Sequence, residues 1–300
     1  MSSIQMQQYL VGDYYPNWIQ ETFHGTVTPA KLMKMLASYD FADRSAAHMK
    51  YRGHEIHRSK IFWVDNLEEK VPIYTFPAFQ YQQVKKEYQL ISTSEWVEKI
   101  QEALDGQFGV ATNHVIGTLY QDGKDSIGWH NDKPKTLDSI APIFFLSFGQ
   151  QRPLLFRKNG MEQVCCEISM APGSLFVLDA SKNQQYQHCI AAESDTNNNS
   201  NSNNNNNSRC KPRISLIYRQ VKNILTMQEI EKKIVAGARG KKNNKKRKAE
   251  KIAGEYDDEH DNRIENETHQ ETREEDEDAE ETVKAEKKQA KKRKAKKAAN

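Results

Sequence analysis

The stretch Ile127-Gly-Trp-His130-Asn-Asp132 decides how the rest of the chain is interpreted. On a β-strand, residues two apart point to the same face, so His130 and Asp132 can present an imidazole and a carboxylate to one point in space. A third ligand from a distant strand, His188, would complete a set of two histidines and one carboxylate. Such a set binds a metal ion on one face and leaves its remaining coordination positions open.

A second group of candidate site residues lies on the segment Arg213-Ile-Ser-Leu-Ile-Tyr-Arg219. A strand places these two arginines, six residues apart, on one face and leaves the opposite face apolar. Two buried guanidiniums are costly unless they are paired, and a small dicarboxylate would pair with both. A metal with open positions beside a dicarboxylate indicates an oxygenase that uses Fe(II), 2-oxoglutarate and O2. The alternative is an edge strand with one solvated face.

Together with their neighbours, these segments resemble the AlkB family of nucleic-acid demethylases, and most closely its eukaryotic DNA-repair members. The resemblance runs from about Tyr74 to Arg219. It rests on the following segments in order: Tyr120-Gln-Asp-Gly, Ile127 to Asp132, Leu146-Ser-Phe-Gly, Phe156-Arg, Pro172-Gly-Ser-Leu, His188 and the arginine strand. The resemblance implies a double-stranded β-helix, or jelly roll, with Fe(II) on His130, Asp132 and His188.

The resemblance also implies a set of residues for 2-oxoglutarate. It places Tyr120 and Arg213 at the distal carboxylate, and Arg219 at the carboxylate next to the ketone. Thr118 and Ser215 stand where many members of the family carry asparagine. Both hydroxyls can still hydrogen-bond a cosubstrate, so its binding is expected to survive these departures.

The substrate side is predicted on two segments. Tyr74-Thr-Phe76 matches the Tyr-x-Phe of the repair members, which implies that Phe76 stacks on a flipped base while Tyr74 hydrogen-bonds nearby. In residues 44–65, basic residues that include Arg58 and Lys60 are interleaved with Tyr51, Phe62 and Trp63. That mixture suits phosphate contacts and base stacking in a lid over nucleic acid, whereas the alternative is a solvated loop and strand.

Elements outside the site predict a mainly β core with supporting helices. Thr28-Pro29 opens one helix, and Ser92-Thr-Ser-Glu95 is a capping box for a second helix that Gly106 is expected to end. From Asn113 onward, short strands at regular spacing are typical of a jelly roll. They are predicted at 113–121, 141–149, 153–158, 163–169, 174–179, 185–191 and 211–220.

The 300 residues are predicted to divide unequally. Residues 1–110 form an N-terminal extension with a substrate-recognition lid and supporting helices, and residues 111–222 form the jelly-roll core. Within the core, the asparagine-rich tract 195–208 would lengthen a surface loop without moving the site. One last helix over 223–236, whose pattern begins at 222, precedes a disordered charged tail, 237–300.

The tail alternates basic, acidic and basic blocks, which the net charge of +3 conceals. Its Lys/Arg runs indicate nuclear localisation or a nucleic-acid patch, with a solubilising tail as the alternative. No apolar run is long enough to predict a membrane span, and no secretory signal is visible. The cysteines have no framework spacing and are expected to be reduced thiols of an intracellular protein: Cys165, Cys166, Cys189 and Cys210.

The sequence therefore predicts a nuclear oxidative demethylase of N-alkylated bases such as 1-methyladenine and 3-methylcytosine, in DNA or RNA. Repair members often follow the metal ligands with acidic residues, whereas this chain has Lys133-Pro-Lys135, which leaves RNA and a non-nucleic substrate open. One alternative is a protein side-chain hydroxylase on the same fold, which the paired arginines and Tyr-x-Phe disfavour. The other is a catalytically silent nucleic-acid-binding module.

Overall fold

The computed structural model describes residues 11–41, 50–51, 54–55, 58–76, 79–193 and 211–237. The asparagine-rich tract, Cys210, most of the predicted lid over 44–57 and the tail beyond residue 237 lie outside the described residues, so what the sequence predicts for them stays a prediction. In the described ranges, no helix has the length and apolar character that crossing a membrane requires.

The elements are short, and strands dominate after residue 113. The helices are α1 (Trp18–Thr22), α2 (Pro29–Ala37), α3 (Gln82–Glu87), α4 (Glu95–Phe108), α5 (Ala180–Gln185) and α6 (227–237). The strands are β1 (Gly12–Tyr15), β2 (Lys50–Tyr51), β3 (His54–Glu55), β4 (Ser59–Val64), β5 (Val71–Pro72), β6 (Tyr88–Leu90), β7 (His114–Tyr120), β8 (Ile127–His130), β9 (Ile143–Gly149), β10 (Arg152–Lys158), β11 (Val164–Met170), β12 (Ser174–Leu178), β13 (Tyr186–Ile190), β14 (Arg213–Arg219) and β15 (Ile224–Leu225).

Two sheets face each other. The major sheet has the order β1-β12-β9-β14-β7-β4-β6, and the minor sheet has the order β11-β10-β13-β8. From β7 to β14 the chain passes repeatedly between them, because β7, β9, β12 and β14 lie in the major sheet and the strands between lie in the minor one. This winding is the double-stranded β-helix, so the predicted jelly roll is confirmed, with strand bounds that match the predicted ones closely.

The major sheet is covered on both faces. Toward the minor sheet, Phe145 and Phe176 pack with Phe156 in one apolar cluster. On its other face, Leu216 and Tyr218 pack with apolar side chains of α2 and α4 in a second cluster. The alternation along β14 thus sends its even-numbered apolar side chains to the helices and its arginines to the space between the sheets.

The start and end of α4 differ from the prediction. Its N-cap is Ser94 rather than Ser92, and the Ser94 hydroxyl makes no cap hydrogen bond because it accepts one from Nε1 of Trp63, at 2.8 Å. A glycine inside a helix is tolerated at modest cost, and α4 continues through Gly106. It ends at Gly109, whose φ of 64° supplies the left-handed conformation of a C-cap.

The last helix begins later than predicted. Ile224 and Leu225 pair with Pro72 and Val71 as strand β15, so α6 starts only at residue 227. A capping box places the start there, because the Thr226 hydroxyl accepts from the amide of Glu229 while the Glu229 carboxylate accepts from the amide of Thr226, at 2.8 Å. This segment forms a strand rather than a helix because Asn223 hydrogen-bonds both backbone groups of Ile73. The Asn223 carbonyl accepts from the Ile73 amide, and the Asn223 side chain donates to the Ile73 carbonyl.

Candidate active site

Three side chains converge at the edge of the minor sheet. His130 ends β8, His188 lies in β13, and the two are cross-strand partners whose ring centroids are 4.3 Å apart. Asp132 follows just beyond β8, and one ligand atom from each residue lies within 4.8 Å of the others. The predicted ligand set is therefore brought together, and its neutral nitrogen and carboxylate donors suit a divalent metal such as Fe(II).

Both histidines are held in the form that binds a metal. Burial lowers the pKa of His188 to about 3 and also lowers the pKa of His130, so each imidazole is neutral at neutral pH. Nδ1 of His130 lies 2.8 Å from the carbonyl oxygen of Gly128, which fixes the proton on that nitrogen and leaves Nε2 as the ligand.

Asp132 is an anion although it is buried. Burial alone would raise the pKa of its carboxyl, but Arg219 and the two histidines outweigh burial and hold that pKa at about 2. Arg219 clamps the carboxylate with Nη2 2.8 Å from Oδ1 and Nε 3.1 Å from Oδ2. The Tyr74 hydroxyl donates to Oδ1 at 2.9 Å. These partners fix the orientation of the carboxylate before any metal binds.

An amide that the sequence did not reveal also positions Asp132. The Asn183 side chain on α5 accepts from the Asp132 amide at 2.9 Å and donates to the Asp132 carbonyl at 2.8 Å. The side-chain nitrogen Nδ2 of the neighbouring Asn131 donates to the backbone carbonyl oxygen of Asn183, at 2.6 Å, and to that of Tyr186. A lone asparagine in a short helix carries no sequence signal for this role, because the role exists only once α5 packs beside β8.

The residues predicted for 2-oxoglutarate lie together on the inner face of the major sheet. Arg213 is the cross-strand partner of Tyr120, and Ser215 is the partner of Thr118. The Arg213 guanidinium lies over the Tyr120 ring, 5.1 Å from its centroid, and Nε donates to the Ser147 hydroxyl at 3.0 Å. All of these side chains are buried.

Two guanidinium nitrogens on this face lack partners. Nη1 of Arg213 and Nη1 of Arg219 are buried and have no hydrogen-bond partner among the described residues. A buried donor without an acceptor is costly, and each carboxylate of a small dicarboxylate would satisfy one of them. The residues present therefore fit 2-oxoglutarate, with Arg213 the less committed guanidinium because Arg219 already pairs with Asp132.

Arg152 is a further buried cation beside this face. Its Nη1 donates to the carbonyl of Asp125 at 2.7 Å and its Nη2 donates to the carbonyl of Ala191, while its guanidinium lies 5.4 Å from the Tyr120 centroid. It ties the loop before β8 to the end of β13. A signal for it exists in the sequence, since Arg152 shares the inward register of β10 with Leu154 and Phe156.

The predicted substrate segments meet the site in different ways. Tyr74 is buried, and its hydroxyl is engaged by Asp132 and by the amide of Lys133, at 3.1 Å. Phe76 is half-buried and lies parallel to Phe62, with centroids 5.9 Å apart. Residues 73–76 form no strand, so strand alternation does not decide on which side Tyr74 and Phe76 lie.

Two aromatic residues of the predicted lid belong to the core. Phe62 and Trp63 are only 1% and 0% exposed. The idea that they stack on bases is therefore wrong, because β4 is an inner strand of the major sheet, where both faces are covered. The side chain of Tyr51 lies outside the described residues.

Lys60 lies on β4, and Arg58 lies just before this strand. Nη1 of Arg58 donates to the carbonyl oxygen of Ser126 at 2.7 Å. Lys60 is the cross-strand partner of Thr118, and its ammonium lies 4.7 Å from the Phe76 centroid. Burial, together with the positive charges of Arg58 and Arg219, lowers the pKa of Lys60 to about 7.

His114 is a further buried polar residue that sequence reasoning missed. It is the cross-strand partner of Arg219, it contacts the Tyr74 ring, and neither ring nitrogen has a hydrogen-bond partner in the described part of the chain. Burial lowers its pKa to about 3. It packs behind the site as a neutral ring.

The sequence model of the 2OG-Fe(II) oxygenase superfamily matches residues 16–219. The chain is 26% identical over 141 residues to the human "DNA oxidative demethylase ALKBH2", covering 44% of this chain and 49% of that protein. It is 32% identical over 95 residues to the rat "Alpha-ketoglutarate-dependent dioxygenase alkB homolog 3", covering 28% of this chain and 32% of that protein. The chain thus spans about half or less of the length of these curated relatives.

Solved structures that are similar to the chain include two oxygenases. One, described as "The structure of OsALKBH1", gives a TM-score of 0.42 at 13% identity and covers 69% of this chain and 97% of that chain. The other, a 2OG-Fe(II) oxygenase family oxidoreductase from Burkholderia pseudomallei, gives a TM-score of 0.40 at 13% identity and covers 73% of this chain and 90% of that one.

Proposed function

The chain belongs to the 2OG-Fe(II) oxygenase superfamily, and on this premise we propose that it is an oxidative demethylase of N-alkylated bases in DNA or RNA. Membership makes it a dioxygenase that uses Fe(II), 2-oxoglutarate and O2, and the similarity to the alkB-homologue relatives makes it AlkB-like. The observation that carries the proposal is the pairing of the His130, Asp132 and His188 cluster with two buried guanidinium nitrogens that lack acceptors. Similarity to relatives named as demethylases supports the substrate class.

His130, Asp132 and His188 hold the metal in this proposal. When bound, Fe(II) with 2-oxoglutarate and O2 supplies the oxidising power that hydroxylates an N-methyl group, after which formaldehyde leaves. The chain contributes geometry and charge: Arg219 and Tyr74 keep the Asp132 carboxylate ionised and oriented.

The cosubstrate is bound by the inner face of β7 and β14. Nη1 of Arg213 would bind the distal carboxylate, and the Tyr120 ring against the guanidinium would hold the guanidinium in place. Nη1 of Arg219 would bind the carboxylate next to the ketone. The hydroxyls of Thr118 and Ser215 would hydrogen-bond the cosubstrate in the place of longer amide side chains.

The substrate base is bound on the side of β4. Phe76 stacks on a base that has left its helix, because the methyl group cannot otherwise reach the metal. The Lys60 ammonium lies over the face of that ring, 4.7 Å from its centroid, and Arg58 lies just before β4 with Nη1 bound to the carbonyl oxygen of Ser126. Tyr74 supports this side by fixing Asp132 and the amide of Lys133.

The experiment is mass spectrometry of DNA and RNA oligonucleotides that carry a single methylated base. The purified protein is incubated with Fe(II), 2-oxoglutarate and ascorbate, and the His188→Ala variant serves as the inactive control. The proposal predicts loss of the methyl group by the wild-type protein only. Succinate formation without loss of methyl from any oligonucleotide would favour the side-chain hydroxylase, and neither product would favour the silent binding module.

We further propose that the protein accumulates in the nucleus, which the Lys/Arg runs within residues 239–251 and 284–297 support. The test is fluorescence microscopy of the tagged chain with and without residues 238–300. Unchanged localisation of the shortened chain would contradict this proposal.

A further inference from the structure

The backbone of Asp132 is held by a side chain instead of by a neighbouring strand. The pairing of β8 with β13 ends at His130 and His188, so Asp132 lies beyond the ladder that fixes the two histidines. The Asn183 carboxamide continues the hydrogen bonding there: its Oδ1 accepts from the Asp132 amide at 2.9 Å, and its Nδ2 donates to the Asp132 carbonyl at 2.8 Å. A carboxamide offers an acceptor and a donor as a peptide group does, so Asn183 takes the place of a pairing residue.

Asn183 is itself fixed in place. It is only 2% exposed, and its amide donates to the carbonyl of Asp179 at 2.9 Å, at the start of α5. Its carbonyl accepts from Nδ2 of Asn131 at 2.6 Å, and the same nitrogen donates to the Tyr186 carbonyl at 2.8 Å. Asn131 and Asn183 therefore join the segment after β8 to α5 in both directions, and we call this pair the amide clasp.

The amide clasp opposes the attraction of Arg219 for the same carboxylate. Arg219 binds both carboxylate oxygens of Asp132, at 2.8 Å and 3.1 Å. It lies in the major sheet, whereas His130 and His188 lie in the minor sheet. Because a buried guanidinium attracts a carboxylate strongly, an unrestrained Asp132 backbone would let the carboxylate follow Arg219 away from the histidines. A metal ion needs all three ligand atoms within reach of one another.

We propose that Asn183 is a positioning residue that determines how tightly the site binds its metal, and that Asn131 holds it in place. The Asn183 carboxamide keeps the Asp132 carboxylate beside the two histidines while the guanidinium competes for it. Groups that orient a metal ligand typically contribute about 10- to 100-fold to metal affinity. The inference concerns the metal alone, so it does not depend on the substrate or on the proposed demethylase activity.

The experiment is calorimetric titration of the metal-free protein with Mn(II), which stands in for Fe(II) and is stable in air. Asn183→Ala removes both hydrogen bonds to the Asp132 backbone and leaves the three ligands in the chain. We expect the Kd for Mn(II) to rise by about 10- to 100-fold in this variant.

The matched control is Asn113→Ala. The Asn113 carboxamide binds the backbone of Val221, beyond the end of β14, in the same two-sided way, at 2.9 Å and 2.7 Å. Val221 is not a metal ligand, so the Kd for Mn(II) should stay as in the wild type. Urea denaturation of the two metal-free variants should show similar losses of stability, because each loses two hydrogen bonds of the same kind.

Two results would overturn the inference: a Kd for Mn(II) that is unchanged in Asn183→Ala, or one that rises equally in Asn113→Ala. If Asn183→Ala does not fold, Asn131→Ala decides the question, because it releases α5 and leaves the Asn183 side chain intact. Its Kd for Mn(II) should rise by up to about tenfold, the effect of one hydrogen bond. An unchanged Kd in Asn131→Ala would then overturn the inference.

Discussion

The cosubstrate half of the site and its substrate half differ in how firmly their side chains are held. Asp132, Arg213 and Arg219 are buried and fixed by hydrogen bonds of about ordinary length. Lys60 and Phe76 are only half-buried and are held by ring contacts. The metal and cosubstrate residues are therefore built into the two sheets, whereas the residues proposed for substrate recognition can change without disturbing the fold.

Replacing either metal ligand, Asp132 or His188, should abolish activity, but only one replacement should also strongly reduce the stability of the fold. Asp132→Ala and His188→Ala should both abolish turnover, since each removes a ligand. Only Asp132→Ala leaves the buried Arg219 guanidinium without its partner, so it should also lower the free energy of unfolding by about 3–5 kcal/mol. Urea denaturation of the metal-free variants measures this difference, and equal stabilities would show that the Arg219 clamp is not structural.

The next effect is confined to the cosubstrate half. Arg213→Lys keeps the charge but loses the fork, so the KM for 2-oxoglutarate should rise by about 10- to 100-fold, the loss of one charged hydrogen bond. Arg157→Lys is the matched control, because Arg157 stacks on Trp129 at 4.5 Å instead of on Tyr120. Succinate formation at varied 2-oxoglutarate measures both variants, and a similar KM in the two would remove Arg213 from the cosubstrate site.

A smaller effect is confined to the substrate half. Phe76→Leu keeps an apolar side chain but removes the stacking ring, so kcat/KM for a methylated oligonucleotide should fall by about tenfold. The KM for 2-oxoglutarate should stay as in the wild type, because the ring contacts of Phe76 are with Phe62, Phe79 and Lys60. A joint change in both parameters would show that the two halves are not separable.

The last effect concerns the dependence of the folding stability on pH and vanishes at neutral pH. The folded-state pKa of His114 is about 3, below its ordinary 6.5, so between these values the unfolded chain holds a proton that the folded chain does not. The contribution of the neutral His114 to the free energy of unfolding is complete above the ordinary pKa. It is lost as the pH falls, by up to about 1.4 kcal/mol per pH unit for each such histidine. His114→Phe should therefore reduce the loss in the free energy of unfolding of the metal-free protein between about pH 6 and pH 4 by the contribution of one bound proton. Urea denaturation across that range checks it, and parallel curves for variant and wild type would contradict it.

The fold could be predicted because short alternating strands follow from local spacing and give the jelly roll. The metal ligands depend on more than spacing: Asp132 lies just beyond β8, where the strand period of two no longer applies, and His188 is identified by its position before the arginine strand. Asn183 could not be predicted, because its role depends on how α5 packs against a distant loop. Trp63 and Ser94 show the same limit, since their hydrogen bond replaces a helix cap that the sequence alone favours.

The ratio of succinate formed to methyl groups lost, measured on one oligonucleotide with a single methylated base, tests the proposed demethylase most directly. We expect one succinate for each methyl group removed, with both products absent in His188→Ala. Loss of the methyl group without 2-oxoglutarate, or steady succinate formation that no methylated base accelerates, would contradict it.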